Sequence, residues 1–249
     1  MPYVFEFDQV FDEDYLFFYG PLLTPERSDQ EAEVIAKILG LAPGVRILDV
    51  ACGHGRIASR LARRGCRVVG LDRSSLFLNL ARREAQAQGL AVHYVQGDMR
   101  LLPTMTGIFD AGINWFTSFG YFEDSENRQV LRELFRVLKP GGRVIIETMN
   151  RDRLLKEFLP FLVTEREGHL MVDHNRYDPS SGRIETERIV IREGRMRRFR
   201  FSVRLFTFPE LRDWLEEAGF REVQGFDERG EPYALTARRM IVMAVRPTM

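Results

Sequence analysis

A short apolar run early in the chain ends in a turn with two glycines, and an acidic residue lies just before that turn. Gly53 and Gly55 leave room where the backbone must bend and approach a ligand. The helix predicted after the turn would offer free backbone N–H groups at the same point. Asp49 would repel a bound pyrophosphate, so it favours a cationic ligand. Because tight strand–helix turns also use glycine for structural reasons, this motif alone leaves both interpretations open.

Two further acidic residues end the next two predicted strands. A carboxylate at Asp72 can accept hydrogen bonds from both hydroxyls of a ribose; the alternative is a helix N-cap, because Ser74 follows closely. Asp98, after Gly97, can accept an exocyclic amine while the backbone N–H of Met99 faces a ring nitrogen, and the alternative here is a plain turn. Since the carboxyl ends of parallel strands meet at one sheet edge, we predict that these residues bind an adenosine-type ligand there.

An alternation of strands and helices must position these residues. The strands are predicted over residues 45–50, 67–71, 91–95, 109–114, 143–148, 221–226 and 239–245. The helices are predicted over residues 56–64, 74–88, 127–138 and 207–218, with one more that begins at a capping box at 28–31. This rhythm predicts an α/β fold with a doubly wound, mostly parallel seven-stranded sheet and helices on both faces.

The alternation breaks after the fifth predicted strand. Residues 183–206 alternate between apolar and polar residues, and Glu193-Gly194 marks a hairpin turn between two such runs. Eight arginines and three glutamates between 183 and 204 make this region positively charged. One interpretation is a lid that binds an anionic substrate. The other, which the alternation favours, is a solvated outer face that carries the arginines while Phe199, Phe201 and Val203 turn inward.

The composition excludes several classes of function. The 36 basic and 36 acidic residues cancel, which argues against binding nucleic acid through an overall positive field. No apolar run reaches the roughly 18 residues that span a bilayer. The first residues lack the basic and apolar stretches of a signal peptide, so Cys52 and Cys66 are expected to be reduced thiols in a cytoplasmic protein. The histidines and cysteines lack metal-ligand spacing, so no metal site is predicted.

Five motifs occur in order along the chain, and as a set they are far more specific than any one alone. They are Ile-Leu-Asp-Val-Ala-Cys-Gly-His-Gly-Arg (47–56), Gly-Leu-Asp (70–72), Gln-Gly-Asp-Met (96–99), Phe-Asp-Ala (109–111) and Leu-Lys-Pro-Gly-Gly (138–142). This ordered set resembles the class I S-adenosylmethionine-dependent methyltransferases. The resemblance implies a Rossmann-like methyltransferase fold whose last two strands form an antiparallel edge. It also implies S-adenosyl-L-methionine as cofactor and S-adenosyl-L-homocysteine as product.

The resemblance implies roles for individual residues at the sheet edge. The glycine-rich loop would hold the methionine half of the cofactor, Asp49 would support its amino group, and Asp72 would hold the ribose. Asp98 and Met99 would contact adenine. The cofactor-binding set predicted in this way is Arg27, Asp49, Ala51, Gly53, Gly55, Asp72, Arg73, Gly97, Asp98, Met99, Asn114 and Trp115. Arg27 is included as a candidate partner of the cofactor carboxylate, and Asn114 and Trp115 would lie beside the methyl group.

The patterns along the sequence, together with this resemblance, divide the chain into four parts. Residues 1–30, rich in aromatic residues, are predicted to pack onto the body as an N-terminal cover. Residues 31–150 are the cofactor-binding core, which residues 207–249 complete. Residues 151–206 are predicted to be an antiparallel β insertion that serves as a substrate lid.

The acceptor would bind beside the segment that follows the fourth strand. Aromatic faces there attract a sulfonium, although packing under a loop is the alternative. Tyr121, which could orient a nucleophile, and Asn114 are the catalytic candidates. The predicted substrate contacts are Tyr15, Tyr19, Phe119 and Tyr121.

The function predicted from these residues is methyl transfer to nitrogen or oxygen of a small-molecule acceptor by in-line displacement. Nitrogen is slightly favoured because the sequence offers no clear base or metal for a hydroxyl. One alternative is a non-catalytic cofactor-binding or regulatory protein of the same fold. Another is an NAD-dependent oxidoreductase, because Gly53-x-Gly55-x-x-Ala58 also fits the dinucleotide pattern. Nucleic-acid and membrane partners are not expected, and a homodimer is one option for the assembly.

Overall fold

Two β-sheets organise the computed structural model, which describes residues 6–248 apart from the side chain of Asp8. The strands are β1 (Arg46–Val50), β2 (Arg67–Asp72), β3 (Val92–Gln96), β4 (Phe109–Asn114), β5 (Leu138–Met149), β6 (Phe161–Arg166), β7 (His169–Asp178), β8 (Arg183–Arg192), β9 (Arg195–Arg204), β10 (Arg221–Phe226) and β11 (Arg239–Val245). The large sheet has the order β10-β11-β5-β4-β1-β2-β3, and the small sheet has the order β6-β7-β8-β9. Residues 1–5, at the start of the predicted N-terminal cover, and residue 249 lie outside the described residues.

The large sheet has the predicted Rossmann-like methyltransferase topology. Strands β1 to β5 pair in parallel, while β11 is antiparallel to both β5 and β10. The strand order reverses between β1 and β4, and in open α/β sheets ligands bind outside the carboxyl ends of the strands at such a point. The fifth motif, residues 138–142, lies within β5, which therefore begins before the predicted strand at 143–148, and its pairing with β4 is irregular there.

Helices cover both faces of the large sheet and pack beside the small one. They are α1 (Phe7–Val10), α2 (Glu13–Tyr19), a 3₁₀ turn (Gly20–Leu22), α3 (Pro25–Leu39), α4 (Arg56–Arg63), α5 (Ser75–Ala87), α6 (Asp124–Val137), α7 (Arg151–Lys156) and α8 (Phe208–Glu217). Within the described part of the chain, none of these helices combines the length and the apolar character that crossing a bilayer requires.

The start predicted for the first core helix, at a capping box over 28–31, is wrong. The helix α3 begins at Pro25, and the Thr24 side chain accepts a hydrogen bond from the backbone N–H of Arg27 at 3.2 Å. A proline at the first helical position is already in helical geometry and lacks an N–H that would need a partner, so it favours this earlier start. Ser28 therefore lies inside the helix, where its hydroxyl donates to the carbonyl of Thr24.

Each central strand buries side chains on both faces, as expected of a parallel sheet covered by helices. Along β1, Ile47 packs in the cluster that includes α3 and α4, while Leu48 packs in the cluster that includes α6 and α8. The two apolar layers fix the carboxyl ends of the strands, and with them the residues that follow each strand.

The insertion (residues 151–206) contains α7 and the predicted antiparallel sheet. Its hairpin turns at Glu193 and Gly194, both with positive φ, which matches the twist of a two-residue β-hairpin. The inner face of the sheet packs against the N-terminal helices in a cluster formed by Val10, Phe18, Met171, Val190 and Phe199.

The preferred interpretation of the arginines in the insertion is correct for some residues and wrong for others. Arg195, Arg198 and Arg200 are exposed on β9, as predicted. Arg183 and Arg188 on β8 are buried. The guanidinium of Arg183 donates to the carbonyls of residues 120 and 122, and Arg188 occupies the same side of β8 as the inward-facing residues 184, 186 and 190.

Candidate functional site

A cavity of about 640 Å³ runs along the carboxyl edge of the large sheet and continues under the insertion. It begins at the ends of β1, β2 and β4, where the strand order reverses. Side chains of α1 and α2 form one wall, and α7 with the inner face of the small sheet forms another. The cavity therefore has one half beside the parallel strands and one half beside the insertion, which we call the sheet half and the insertion half.

The glycine-rich loop after β1 places its two glycines in different environments. Ala51, Gly53 and Gly55 all have positive φ, at 59°, 56° and 78°. A Cβ on Gly53 would meet nothing closer than a Phe77 ring carbon at 4.0 Å, and Gly53 lines the cavity. A Cβ on Gly55 would lie 2.3 Å from the hydroxyl of Tyr94, and Gly55 does not line the cavity. Gly55 is therefore required by packing, and a ligand contact at its backbone stays a prediction.

Asp49 is a buried carboxylate without a full set of partners. It is 2% exposed and lines the cavity, and its Oδ2 atom has no hydrogen-bond partner. Burial, together with the nearby charge of Asp72, raises the pKa of Asp49 to about 7, although Arg56 and the backbone N–H of Ala58 oppose the rise. A buried carboxylate oxygen without a partner is costly, so this site suits a cationic hydrogen-bond donor such as an ammonium group.

Asp72 connects the glycine-rich loop to the end of β2. Its Oδ2 accepts from the backbone N–H of Gly53 and its Oδ1 from that of Ser74, both at 2.8 Å. The side chain of Ser74 caps α5 by accepting from the N–H of Phe77, so Asp72 is not the N-cap. Burial raises the pKa of Asp72, and the residue lines the cavity. Each oxygen accepts one backbone hydrogen bond and keeps capacity for another, so ribose contact stays a prediction.

The residues after β3 line the sheet half of the cavity, but Asp98 is already paired. Gly97, Asp98 and Met99 are all in the cavity wall. Arg100 forms a fork with Asp98, with Nε–Oδ1 at 3.0 Å and Nη2–Oδ2 at 2.6 Å, and hydrogen bonds from Arg100 lower the pKa of Asp98. Arg100 was not predicted, although it lies only two positions further on. An adenine amine would have to share the Asp98 carboxylate with this guanidinium.

Asn114, predicted for both the cofactor and catalysis, does not line the cavity. It is fully buried, and its amide donates to the carbonyl of Val50 at 3.2 Å, which joins β4 to β1. Because this side chain turns along the sheet while its Oδ1 has no hydrogen-bond partner among the residues that the structure describes, both roles of Asn114 stay predictions. Trp115 does line the cavity, and its indole N–H donates to Glu31 at 2.9 Å.

Arg27, the predicted partner of a carboxylate, is also outside the cavity wall. Its guanidinium donates to Glu31 at 2.8 Å and to the carbonyl of Leu22 at 3.0 Å. Arg56 lines the cavity instead: its Nη1 pairs with Glu31 at 2.6 Å, and its buried Nη2 has no partner. Because Arg56 follows Gly55 directly in the loop motif, its position in the cavity wall could have been predicted.

Three of the four predicted substrate residues line the cavity. Tyr15 and Tyr19 stack with ring centroids 4.7 Å apart, and Tyr121 lies with its ring 5.5 Å from that of Phe11. Burial raises the pKa of Tyr121 and of Tyr15 far above neutrality, so both phenols stay protonated. Phe119 does not line the cavity, because it is fully buried against Phe206 in the core of the large sheet.

An ion pair in the insertion half was not predicted at all. Arg188 donates from Nε and Nη2 to the two oxygens of Asp173, at 2.6 and 2.7 Å, and from Nη2 to the hydroxyl of Tyr19 at 2.8 Å. Asp173 and Arg188 are direct neighbours across β7 and β8, and all three residues line the cavity. The sequence did carry a signal for this position of Arg188. Arg188 and Ile184 lie an even number of positions apart on β8, so their side chains lie on the same face of the strand.

Comparison with known proteins shows which proteins this chain is similar to. Residues 47–142 match a family model described as a methyltransferase domain. Over 103 residues the chain is 42% identical to the demethylmenaquinone methyltransferase of Thermus thermophilus, which is 41% of this chain and 46% of that enzyme. Residues 47–142 therefore form a methyltransferase domain, and over this region the chain is similar to known methyltransferases. It spans about half the length of most of the curated relatives that it matches.

Solved structures extend the likeness in fold to the insertion. An S-adenosylmethionine-dependent methyltransferase from Clostridium acetobutylicum aligns with a TM-score of 0.79 at 15% identity, over 95% of this chain and 98% of that one. The sugar N-methyltransferase KedS8 from Streptoalloteichus aligns with a TM-score of 0.68 at 24% identity, over 98% and 96% of the two chains. The cofactor of the family is S-adenosylmethionine, and the unpartnered atoms of Asp49 and Arg56 suit its ammonium and carboxylate groups.

Proposed function

We propose that this methyltransferase moves a methyl group from S-adenosylmethionine to nitrogen or oxygen of a small molecule bound in the insertion half of the cavity. The observation that carries the proposal is the continuity of the cavity. It runs from Asp49 at the end of β1 to Arg188 on the inner face of the small sheet. Its volume, about 640 Å³, is within the range of small-molecule sites.

In this proposal the sheet half holds the cofactor. Asp49 accepts from the ammonium of the methionine half, and the free Nη2 of Arg56 donates to its carboxylate. The residues that we assign to the cofactor are Asp49, Ala51, Gly53, Arg56, Asp72, Arg73, Gly97, Asp98, Met99 and Trp115. When bound, the cofactor supplies a methyl group that its sulfonium has already activated.

The protein's own contribution is then to orient the acceptor and to exclude water. The aromatic side chains of α1 and α2 close one side of the cavity, where Tyr15 lies 5.8 Å from Phe77 between ring centroids. Tyr121, held protonated by burial, donates a hydrogen bond that orients the nucleophile but cannot remove a proton from it. Asp173 is committed to Arg188. Nitrogen is therefore the preferred acceptor atom, because its lone pair can attack before the proton leaves.

The names of the relatives do not identify the chemical class of the acceptor. Some curated relatives are named as quinone methyltransferases and KedS8 as a sugar N-methyltransferase, and the solved structures resemble this chain in fold. The acceptor class has to come from the side chains in the insertion half.

Titration calorimetry tests the proposal and its two alternatives. We expect S-adenosylmethionine and S-adenosylhomocysteine to bind and NAD not to bind, because Asp49 would repel a pyrophosphate. Asp72→Ala should weaken cofactor binding by at least about tenfold, or ~1.4 kcal/mol. Asp110→Asn is the matched control, because Asp110 lies at the start of β4 and pairs with Lys139 outside the cavity wall.

The outcomes separate the candidate functions. Binding of S-adenosylmethionine with methyl transfer to amine acceptors supports the proposal. Binding without transfer to any acceptor in a broad amine and phenol panel favours a non-catalytic role. Failure to bind at millimolar cofactor, with NAD binding instead, contradicts the proposal.

A further inference from the structure

The charges of the cavity wall are arranged unevenly. The sheet half carries the carboxylates Asp49 and Asp72, neither of which has a side-chain cation within salt-bridge distance. The insertion half carries Arg188, and the loop beside α7 adds Arg238, which is exposed at the cavity and has no ion pair in the described structure. Arg56 and Arg73 also line the sheet half, but there we assign them to the cofactor, so an anionic group in the acceptor would meet Asp49 and Asp72 on that side and Arg188 and Arg238 on the other.

Arg188 is held rigidly in this wall. Its guanidinium is bonded to Asp173 and Tyr19, and it lies over the rings of Tyr19 and Phe201, 5.5 and 5.1 Å from their centroids. The residue is only 4% exposed. A guanidinium fixed on two sides loses little freedom when it binds a further partner, so it can recognise an oxygen with defined geometry.

One nitrogen of the Arg188 guanidinium has no hydrogen-bond partner in the part of the chain that the structure describes. Nε and Nη2 account for every bond that Arg188 donates in the described structure, and Nη1 donates none. Among the described residues, no acceptor forms a hydrogen bond with Nη1; the nearby Thr186 hydroxyl donates to the amide oxygen of Asn175 at 2.8 Å, and Phe201 is apolar. When a site closes around its ligand, a guanidinium nitrogen that loses water without gaining a hydrogen-bond partner costs free energy.

We propose, on the basis of the function proposed above, that the acceptor carries a carboxylate and that Nη1 of Arg188 binds it. Asp173 is the positioning residue, because it holds the guanidinium in place and balances its charge while the acceptor is absent. The rings of Tyr15, Tyr19 and Phe201 suit a flat, aromatic body between the carboxylate and the reacting atom. The acceptor class is therefore an aromatic amine with a carboxylate at the end remote from the amine.

Two probes that differ only in charge test this inference. We would titrate 4-aminobenzoate and 4-aminobenzamide into the protein saturated with S-adenosylhomocysteine. The wild type should bind the carboxylate at least about tenfold more tightly than the amide. Arg188→Met keeps the length of the side chain and removes the charge, so this preference should disappear. Arg200→Met, on the exposed face of β9, is the matched control and should keep it.

A second variant keeps the test decisive if Arg188→Met does not fold. Asp173→Asn removes the counter-charge but keeps the shape, so Arg188 should need an anion more than before. We expect 4-aminobenzoate to raise the melting temperature of Asp173→Asn by more than it raises that of the wild type, and 4-aminobenzamide to raise neither selectively. Equal shifts by the two probes would contradict the inference.

Binding of S-adenosylhomocysteine separates this inference from the function on which it rests. If that product binds and the two probes bind equally, or neither binds, the carboxylate site is wrong while the methyltransferase proposal stands. If S-adenosylhomocysteine itself fails to bind, the proposed function fails first.

Discussion

The two halves of the cavity are built in different ways. The sheet half comes from loops that directly follow parallel strands, so residues such as Asp49 and Asp72 are placed by the local pattern of strand and turn. The insertion half is formed by elements far apart in the chain. There, Arg188 on β8 meets Tyr19 on α2 at 2.8 Å, across 169 residues of sequence.

This difference has a functional consequence. A site at the ends of buried parallel strands is fixed by the core, so it can keep one ligand through many changes of sequence elsewhere. A site between an insertion and an N-terminal segment can change with either of them. We expect substitutions in the sheet half to affect cofactor binding and those in the insertion half to affect acceptor choice.

The largest effect is expected from a glycine that serves the fold rather than the ligand. Gly55→Ala would place a Cβ 2.3 Å from the Tyr94 hydroxyl at a positive φ, and we expect it to destabilise the protein by about 2–6 kcal/mol. Gly53→Ala has open space and should cost about 1 kcal/mol of stability, yet weaken cofactor binding by about tenfold. Urea unfolding and calorimetry measure the two effects. If both variants lose stability equally, the division of roles between the glycines is wrong.

Substitution of Asp49 should give the next largest effect, and it should change cofactor affinity without lowering stability. Asp49→Asn removes a charge-assisted hydrogen bond to the cofactor ammonium, which should weaken binding by about 10- to 100-fold at pH 8. The unliganded variant should not be less stable than the wild type, because burial already disfavours the charged form of this carboxyl. Calorimetry and thermal unfolding of the same preparations check both statements.

The raised pKa of Asp49 adds a pH dependence. Because its pKa is about 7 in the unliganded protein and a bound ammonium favours the carboxylate, cofactor binding below pH 7 must release a proton. Affinity should therefore rise between pH 5.5 and 7, and proton release should be visible as a buffer-dependent binding enthalpy at pH 6. A wild-type affinity that is flat with pH, or a slope that persists in Asp49→Asn, would contradict this assignment.

The sheet half of the cavity could be predicted from sequence better than the insertion half. Asp49, Gly53 and Asp72 could be predicted because the strand ends and the turn are local patterns. The direction of the Asn114 side chain could not be predicted, because a side chain at the end of a strand points either out of the sheet edge or toward the neighbouring strand. In the structure its hydrogen bond to the carbonyl of Val50 directs it toward β1. Arg188 was assigned outward because charge usually faces water, and only the packing of the N-terminal helices on β8 turns it inward.

Two arginines that contact Glu31 can be substituted as a matched pair, and we expect a smaller effect on cofactor affinity. Arg56→Ala should weaken cofactor binding by about tenfold, because its free Nη2 is the donor that we assign to the cofactor carboxylate. Arg27→Ala removes a side chain bonded to the same Glu31 outside the cavity, and should change affinity by less than about twofold. Both affinities can be measured by calorimetry. Equal losses would place the effect on Glu31 and not on the cofactor.

The smallest effect concerns the ion pairs that join the N-terminal helices to the insertion. Asp14 on α2 pairs with Arg192 at 2.8 Å and with Arg197, which also pairs with Asp12 at 2.6 Å. These bonds close the wall formed by α1 and α2 without touching the sheet half. Asp14→Ala should therefore speed cofactor release by about fivefold, equal to ~1 kcal/mol, with little change in the association rate. Stopped-flow fluorescence measures both rates.

Salt provides the control for this last effect. Because half-exposed ion pairs are screened, added sodium chloride should speed cofactor release from the wild type and leave Asp14→Ala almost unchanged. Release that is equally fast in both proteins at low salt would mean that the N-terminal helices stay closed without these pairs. The apolar contacts of Val10 and Phe18 with the small sheet would then be sufficient to join the two halves of the cavity.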